Sequence, residues 1–337
     1  MPNVTPPEQT QLRSLLAQHF TIQISEIQPL TGGRVHQVYR AGEWAIKVYD
    51  LNRGNQTRIQ EIIRCQIWLA GQDLPVPMPQ PANNGERWVQ HGDHLVVVTP
   101  FVHGVRRTRG TLSCAEAAEL GALLARLHQV LAAIPTPPTT PIPLTIADLQ
   151  ARWHALGQQA HTVPSAARTT FDDLVEQTAA FVQHDTLSLP TVDWSQFTWQ
   201  QCHHDMHLDN VLFDAQGQIT TLLDYDNVGP GWREIEAMFA WNLCFCADPN
   251  TSALTAEAHA FFTAYRAELR LPREVVAQLP AAYMLALLSN TWPAPSRYDY
   301  LTPPQDDWTI ILMMRLTAAR WLIRHHKEMR DWLIQDQ

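Results

Sequence analysis

The chain turns from mostly strand-like to mostly helical spacing near residue 101, and that change limits the folds open to it. A short amphipathic helix over residues 8–20 comes first, then segments at 22–30, 35–40 and 44–49 that predict β-strands. Residues 56–70 switch to helical spacing, with Ile59, Ile62, Ile63, Ile67 and Leu69 among the apolar set. The run DLPVPMPQP at 73–81 cannot continue that helix, because proline lacks the N–H donor and clashes with the preceding turn. Two more strands, 87–91 and 95–99, flank Gly92-Asp93. Past Phe101 the pattern turns helical over 113–134, 146–160, 166–184, 231–246, 254–268, 272–292 and 306–334. Ser113 and Glu116 have the spacing of a capping box at the start of the first of these. A Pro-rich link at 135–143 and a β-like stretch at 197–226 interrupt the series. The expectation is an α+β chain, with a β-rich lobe over residues 1–101 holding a small antiparallel sheet and one helix, and a larger helical lobe over 102–337. At 337 residues and 45% hydrophobic content the chain can bury a sizeable core in that arrangement.

Charge and cysteine usage exclude several classes of function. A net charge of −9 argues against sequence-independent nucleic-acid binding, which needs a basic surface. The five cysteines form no CxxC pair, the N-terminus has no basic-then-apolar signal, and no apolar run reaches eighteen residues. These features predict a cytoplasmic protein with reduced thiols and neither a nucleic-acid nor a membrane partner.

The stretch CHHDMHLDNVLFD at 202–214 gathers three His and three Asp into thirteen positions. Val211-Leu212-Phe213 and Ile219 to Leu223 read as two strands of a hairpin, closed by a loop containing Gly217. Folding it brings Asn210 opposite Asp224 at the open end, with Asp205 on the loop that leads in. Three oxygen-bearing side chains of this kind suit Mg²⁺, which binds phosphates at the same time. The spacing His203-x-Asp205-x4-Asn210, then Asp224, matches the phosphoryl-transfer pattern in which the first Asp takes the acceptor proton and the Asn and second Asp hold metal. Two other readings stand beside it: a polar turn before a hairpin, and a zinc hydrolase site built from His203, His204, His207 and Asp209. Adjacent His203 and His204 point apart on an extended backbone, which favours packing for His203 and surface positions for His204 and His207.

Lysine is rare in this chain, which has Lys47 and Lys327 alone. Lys47 lies in the strand WAIKVYD at 44–50, on one face with Ala45 and Tyr49. A lysine there either reaches solvent from an edge strand or meets an anion, and both a phosphate and the carboxylate of Glu61 are suitable. The strand also fits the V-A-I-K kinase pattern, in which Ala45 leaves room for a flat base. Gly32-Gly33, one strand earlier, is either a plain hairpin turn or a turn whose N–H groups approach phosphates.

Taken in order, Gly32-Gly33, Ala45-Ile46-Lys47, Glu61, Pro75-Val76-Pro77, Leu120-Gly121-x4-Arg126-Leu127-His128, His203-x-Asp205-x4-Asn210 and Asp224-Tyr225-Asp226 resemble the aminoglycoside phosphotransferase and choline kinase-like superfamily, over about residues 25–245. The resemblance implies a protein-kinase-like bilobal fold and ATP- and Mg²⁺-dependent phosphorylation of a hydroxyl on a small molecule such as an antibiotic, an amino alcohol, homoserine or a sugar. It implies Asp205 as catalytic base, Asn210 and Asp224 as metal ligands, and Lys47 on the α/β-phosphates with Glu61 orienting it. Gly32, Gly33, Ala45 and the backbone at Thr99 and Phe101 would surround the nucleotide. His204 departs from the usual Gly, and Asp226 stands where protein kinases have Gly. A non-catalytic nucleotide-binding module and a protein kinase are the alternatives within the same fold. For the acceptor, the sequence points to residues 146–184 and to Trp292–Tyr300, with Tyr298 and Asp299 as candidate contacts.

Overall fold

The computed structural model describes residues 9–30, 36–52, 55–135, 144–246, 254–298 and 306–335. Gly32, Gly33 and Asp299 lie outside them. Helix α1 (Gln9–Phe20) is followed by β1 (Gln28–Pro29), β2 (Gln37–Ala41), β3 (Trp44–Asp50), α2 (Gln56–Ala70), β4 (Val89–His91) and β5 (His94–Pro100). The strands form one antiparallel sheet in the order β1-β2-β3-β5-β4.

Strand alternation builds two cores on the two faces of this sheet. Ile46, Val48, Val96 and Val98 pack with Leu12, Leu15, Leu16 and Phe20 of α1. Tyr49, Leu95 and Val97 pack with Ile59 and Ile63 of α2. Asn55 caps α2 by accepting from the N–H groups of Thr57 and Arg58. The strand expected over 22–30 shrinks to Gln28–Pro29. Ile22 donates its N–H to Leu16 and joins Ile27 in the core under α1, so the segment wraps the helix instead of pairing.

The rest of the chain is mainly helical: α3 (Cys114–Leu131), α4 (Ile146–His161), α5 (Thr170–His184), then β6 (Trp199–Cys202), β7 (Val211–Phe213), β8 (Ile219–Leu222) and β9 (Gly229–Trp232), then α6 (Arg233–Phe245), α7 (Ala256–Glu268), α8 (Arg273–Ser289), α9 (Ala294–Tyr298) and α10 (Asp306–Ile334). The expected capping box is present, with Ser113 Oγ accepting from the Glu116 N–H and the Glu116 carboxylate accepting from the Ser113 N–H. The helix expected over 272–292 stops at Ser289, and α9 follows as a separate turn. Strand β9 was not expected. It pairs with β6, Cys202 opposite Gly229, and runs directly into α6. No helix among the described residues is long and apolar enough to cross a membrane.

Helices α3 and α7 meet backbone to backbone at Gly121. A Cβ there would lie 2.1 Å from the Phe261 carbonyl oxygen, and that atom cannot move without moving α7. Gly121→Ala is therefore expected to destabilise the chain by about 1–3 kcal/mol or more, measurable as a lower urea midpoint.

Candidate active site

The β7–β8 hairpin delivers the polar cluster as its register requires. Val211 pairs with Leu222, and the Leu223 N–H donates to the Asn210 carbonyl at 2.8 Å, which places Asp224 beside Asn210. Asp214 closes the far end by accepting from the N–H groups of Gln216 and Gln218. Asn210 Nδ2 donates to Asp205 twice, to its backbone oxygen at 2.9 Å and to Oδ2 at 3.0 Å. The amide nitrogen thus fixes Asp205, and the Asn210 side-chain oxygen is left as an acceptor.

The loop carrying Asp205 hangs from a buried carboxylate. Pairing of β6 with β9 sets the first turn of α6 under the residues after Cys202. Glu236 in that turn accepts the N–H of His203 at 3.0 Å and of His204 at 2.5 Å. It also takes His128 Nε2 at 2.8 Å, while His128 Nδ1 meets the Tyr265 hydroxyl at 2.9 Å. Burial works against the Glu236 charge, but the His128 bond and the imidazole charges around it win and hold its pKa at about 2. His203 is buried, burial lowers its pKa, and its ring meets Tyr225 edge-on. His204 is exposed and His207 partly so, as the sequence suggested. His207 Nε2 lies 3.4 Å from Asp205 Oδ1. Burial opposes its protonation, yet Asp205 and Asp209 raise its pKa.

The zinc arrangement does not form. Among the described residues the one group of three or more His, Cys, Asp or Glu within metal-ligand reach is His128, Cys202 and Glu236, not His203, His204, His207 and Asp209. That buried trio is a hydrogen-bond network whose Glu236 oxygens are already taken by the loop N–H groups and His128.

From the sheet, Lys47 reaches across to the hairpin. Its Nζ donates to Asp226 Oδ2 at 2.6 Å and Asp224 Oδ1 at 3.1 Å. Burial would lower the Lys47 pKa, and Tyr49, Asp226 and Asp224 raise it instead. Burial likewise pushes Asp224 up, but the Lys47 ammonium brings it below the usual carboxylate range. Glu61 does not hold this lysine. It is exposed on α2, and the ion pairs of Lys47 go to Asp224 and Asp226. The helix turns Ile62 and Ile63 inward and leaves Glu61 on the outer side.

Ala45 and Thr99 face each other across β3 and β5. Phe101 has other partners: its N–H donates to the Glu43 carbonyl at 2.8 Å and its ring lies under Arg40. That N–H meets a base only if the Glu43 bond breaks. Tyr298 is also committed, since its hydroxyl donates to buried Asp172 at 3.2 Å, beside Arg297. Trp292 packs near Trp308. These contacts tie α9 to the N-terminus of α5 and α10 and are structural.

Sequence reasoning noted Asp226 and Tyr49 without giving either a role and missed Glu236 altogether. Glu236 had a signal, a carboxylate in the otherwise apolar run EAMFAW. Asp226 had a weaker one, its place two residues after Asp224.

Lys47 on the β-sheet thus faces the Asp224 and Asp226 carboxylates of the hairpin on the helical body. The family model for the phosphotransferase enzyme family matches residues 26–272, and the chain belongs to that family. Solved structures agree on the fold. An amicoumacin kinase in complex with AMP-PNP, Ca²⁺ and Ami is 18% identical with a TM-score of 0.62, over 96% of this chain and 94% of that one. A spectinomycin phosphotransferase with ADP and spectinomycin is 18% identical with a TM-score of 0.63, over 98% and 99%. A microcompartment-associated aminopropanol kinase is 19% identical with a TM-score of 0.61, over 95% and 98%. No curated protein matched the chain in sequence.

The Glu236 network gives a pH signature. Its folded pKa of about 2 lies below the ordinary 4.5, so the unfolded chain takes up the extra proton between these values and stability falls as pH drops through that window. Glu236→Gln should flatten this acid-side slope in urea midpoints measured across pH. Glu236→Ala, which strands His128 and two N–H groups, should lose about 3–5 kcal/mol at neutral pH.

Proposed function

We propose that this protein is an ATP- and Mg²⁺-dependent kinase that phosphorylates a hydroxyl group of a small molecule. The observation that carries the reading is the meeting of Lys47, Asp224, Asn210 and Asp205 at one place, from opposite sides of the fold.

The donor set fits a hard divalent cation. Asp224 offers a partly exposed carboxylate, and Asn210 offers its side-chain oxygen because Nδ2 is engaged by Asp205. When bound, magnesium supplies neutralisation of phosphate charge. Lys47 would bind the nucleotide phosphates as a point charge, from the same strand whose Ala45 leaves space for the base. Asp205 is oriented by Asn210, so one of its oxygens can take the proton of the acceptor hydroxyl. The acceptor oxygen then bonds to the γ-phosphorus as the bond to the β-phosphate oxygen breaks, and ADP leaves. Neighbours named for amicoumacin, spectinomycin and aminopropanol support a small-molecule acceptor.

The test is an ATP-consumption screen over hydroxyl-bearing metabolites and antibiotics. With the acceptor found, Asp205→Asn should keep the fold and nucleotide affinity while kcat falls by about 10²-fold or more. Near-normal turnover in that variant would remove Asp205 from its role. Nucleotide-dependent thermal stabilisation with no product for any acceptor would favour a non-catalytic module.

Turnover should also require Mg²⁺ or Mn²⁺. Asn210→Ala and Asp224→Ala should each raise the metal concentration needed for half-maximal rate, read from metal titrations of the purified protein.

A further inference from the structure

Lys47 has no acid to orient it from α2. Glu61 is the only carboxylate in that helix, and it is exposed. The inward side of α2 carries Ile59, Ile62, Ile63 and Leu69, and Arg58 donates to the Val228 carbonyl. The charge on Lys47 must be held by another group if the side chain is to stay aimed at phosphates.

We infer that Asp226 is the positioning residue for Lys47, in place of a helix carboxylate. This rests on the nucleotide reading above. The two hairpin acids treat the lysine differently. Asp224 meets Nζ through one oxygen at 3.1 Å and its side chain stays 41% exposed, open to another ligand. Asp226 is 20% exposed, and both its oxygens are engaged. Oδ2 takes Nζ at 2.6 Å and Oδ1 takes the Tyr49 hydroxyl at 3.2 Å. Tyr49 and Lys47 are two residues apart on one strand, so they project from the same face and grip one carboxylate together. His36 Nε2 stands 3.8 Å from Oδ2 on the adjoining strand side. Asp226 therefore keeps Lys47 when Asp224 turns to a cation. Without Asp226, Asp224 is the remaining carboxylate at Nζ, and lysine and cation compete for it.

A double-mutant cycle tests this by calorimetry with Mg²⁺-ATP, and with adenosine as the control ligand. Asp226→Ala should weaken ATP by about tenfold or more, the size expected for a misplaced charged hydrogen bond, and leave adenosine unchanged. In a Lys47→Ala background the same substitution should add nothing, because Asp226 acts through Lys47. Asp226→Glu should recover most of the loss. The chain has two lysines, so lysine-selective ¹⁵N labelling reads Lys47 against Lys327, and its ammonium should lose order in Asp226→Ala. Full additivity in the cycle would make Asp226 a cation ligand or an independent contact and overturn the inference. So would wild-type ATP affinity in Asp226→Ala. A wild-type protein that binds no ATP would overturn the nucleotide reading and the inference with it, an outcome distinct from intact wild-type binding with an indifferent Asp226→Ala.

Discussion

Glu236 is 2% exposed, and a carboxylate so far from water is stable only when its lone pairs are filled. Here the donors are His128 and the N–H groups of His203 and His204. Two of these are the backbone that leads to Asp205. Stabilising the buried charge and shaping the loop are therefore one event. The start of α6 helps, since the first turn of a helix favours negative charge. The loop inherits its position from a helix that packs deep in the core, through Ile235, Met238 and Trp241.

The second organising force is the attraction between the sheet and the hairpin. Strand alternation gives β3 one face against α1 and another that presents Lys47 and Tyr49 toward the helical body. The acids that answer them sit two residues apart, at Asp224 and Asp226, after β8. Lys47 is partly buried, which makes its pairing stronger than a surface ion pair and makes an unpaired state costly. Asp224 follows Leu223, whose N–H bonds the Asn210 carbonyl, so the lysine's partner sits beside the residue that orients Asp205.

Much of this was legible from residue patterns. The hairpin and the nearness of Asn210 to Asp224 follow from two apolar β-runs around Gly217, while the register shift between Leu212 and Phe213 was not foreseen. The Ser113–Glu116 capping box and the α2 helix were legible for similar local reasons. What failed was long-range or depended on rotation about a helix axis. Glu61 has the right residue type and element, but 100° per residue separates the outer face of α2 from the inner one, and Glu61 falls outside. Tyr298 looked like a ligand contact because nothing in sequence links it to Asp172, 126 residues away.

The two left-handed residues of the site show how these forces combine. His204 has φ 63° and Asp224 has φ 60°, a region that non-glycine residues enter at about 1–3 kcal/mol. At His204 the Glu236 bond holds the peptide in place, and the ring then occupies the space over Gly231, where a Cβ would come within 2.2 Å of it. A side chain at 231 would push the His204 ring off this position. At Asp224 the turn is held by the Lys47 ion pair and by the Asp226 N–H, 3.4 Å from Oδ1. In both places the strain is local and the restraint comes from a distant element, α6 in one case and β3 in the other. The backbone that presents these carboxylates is therefore set by the packed core and the sheet, and the loop between them follows.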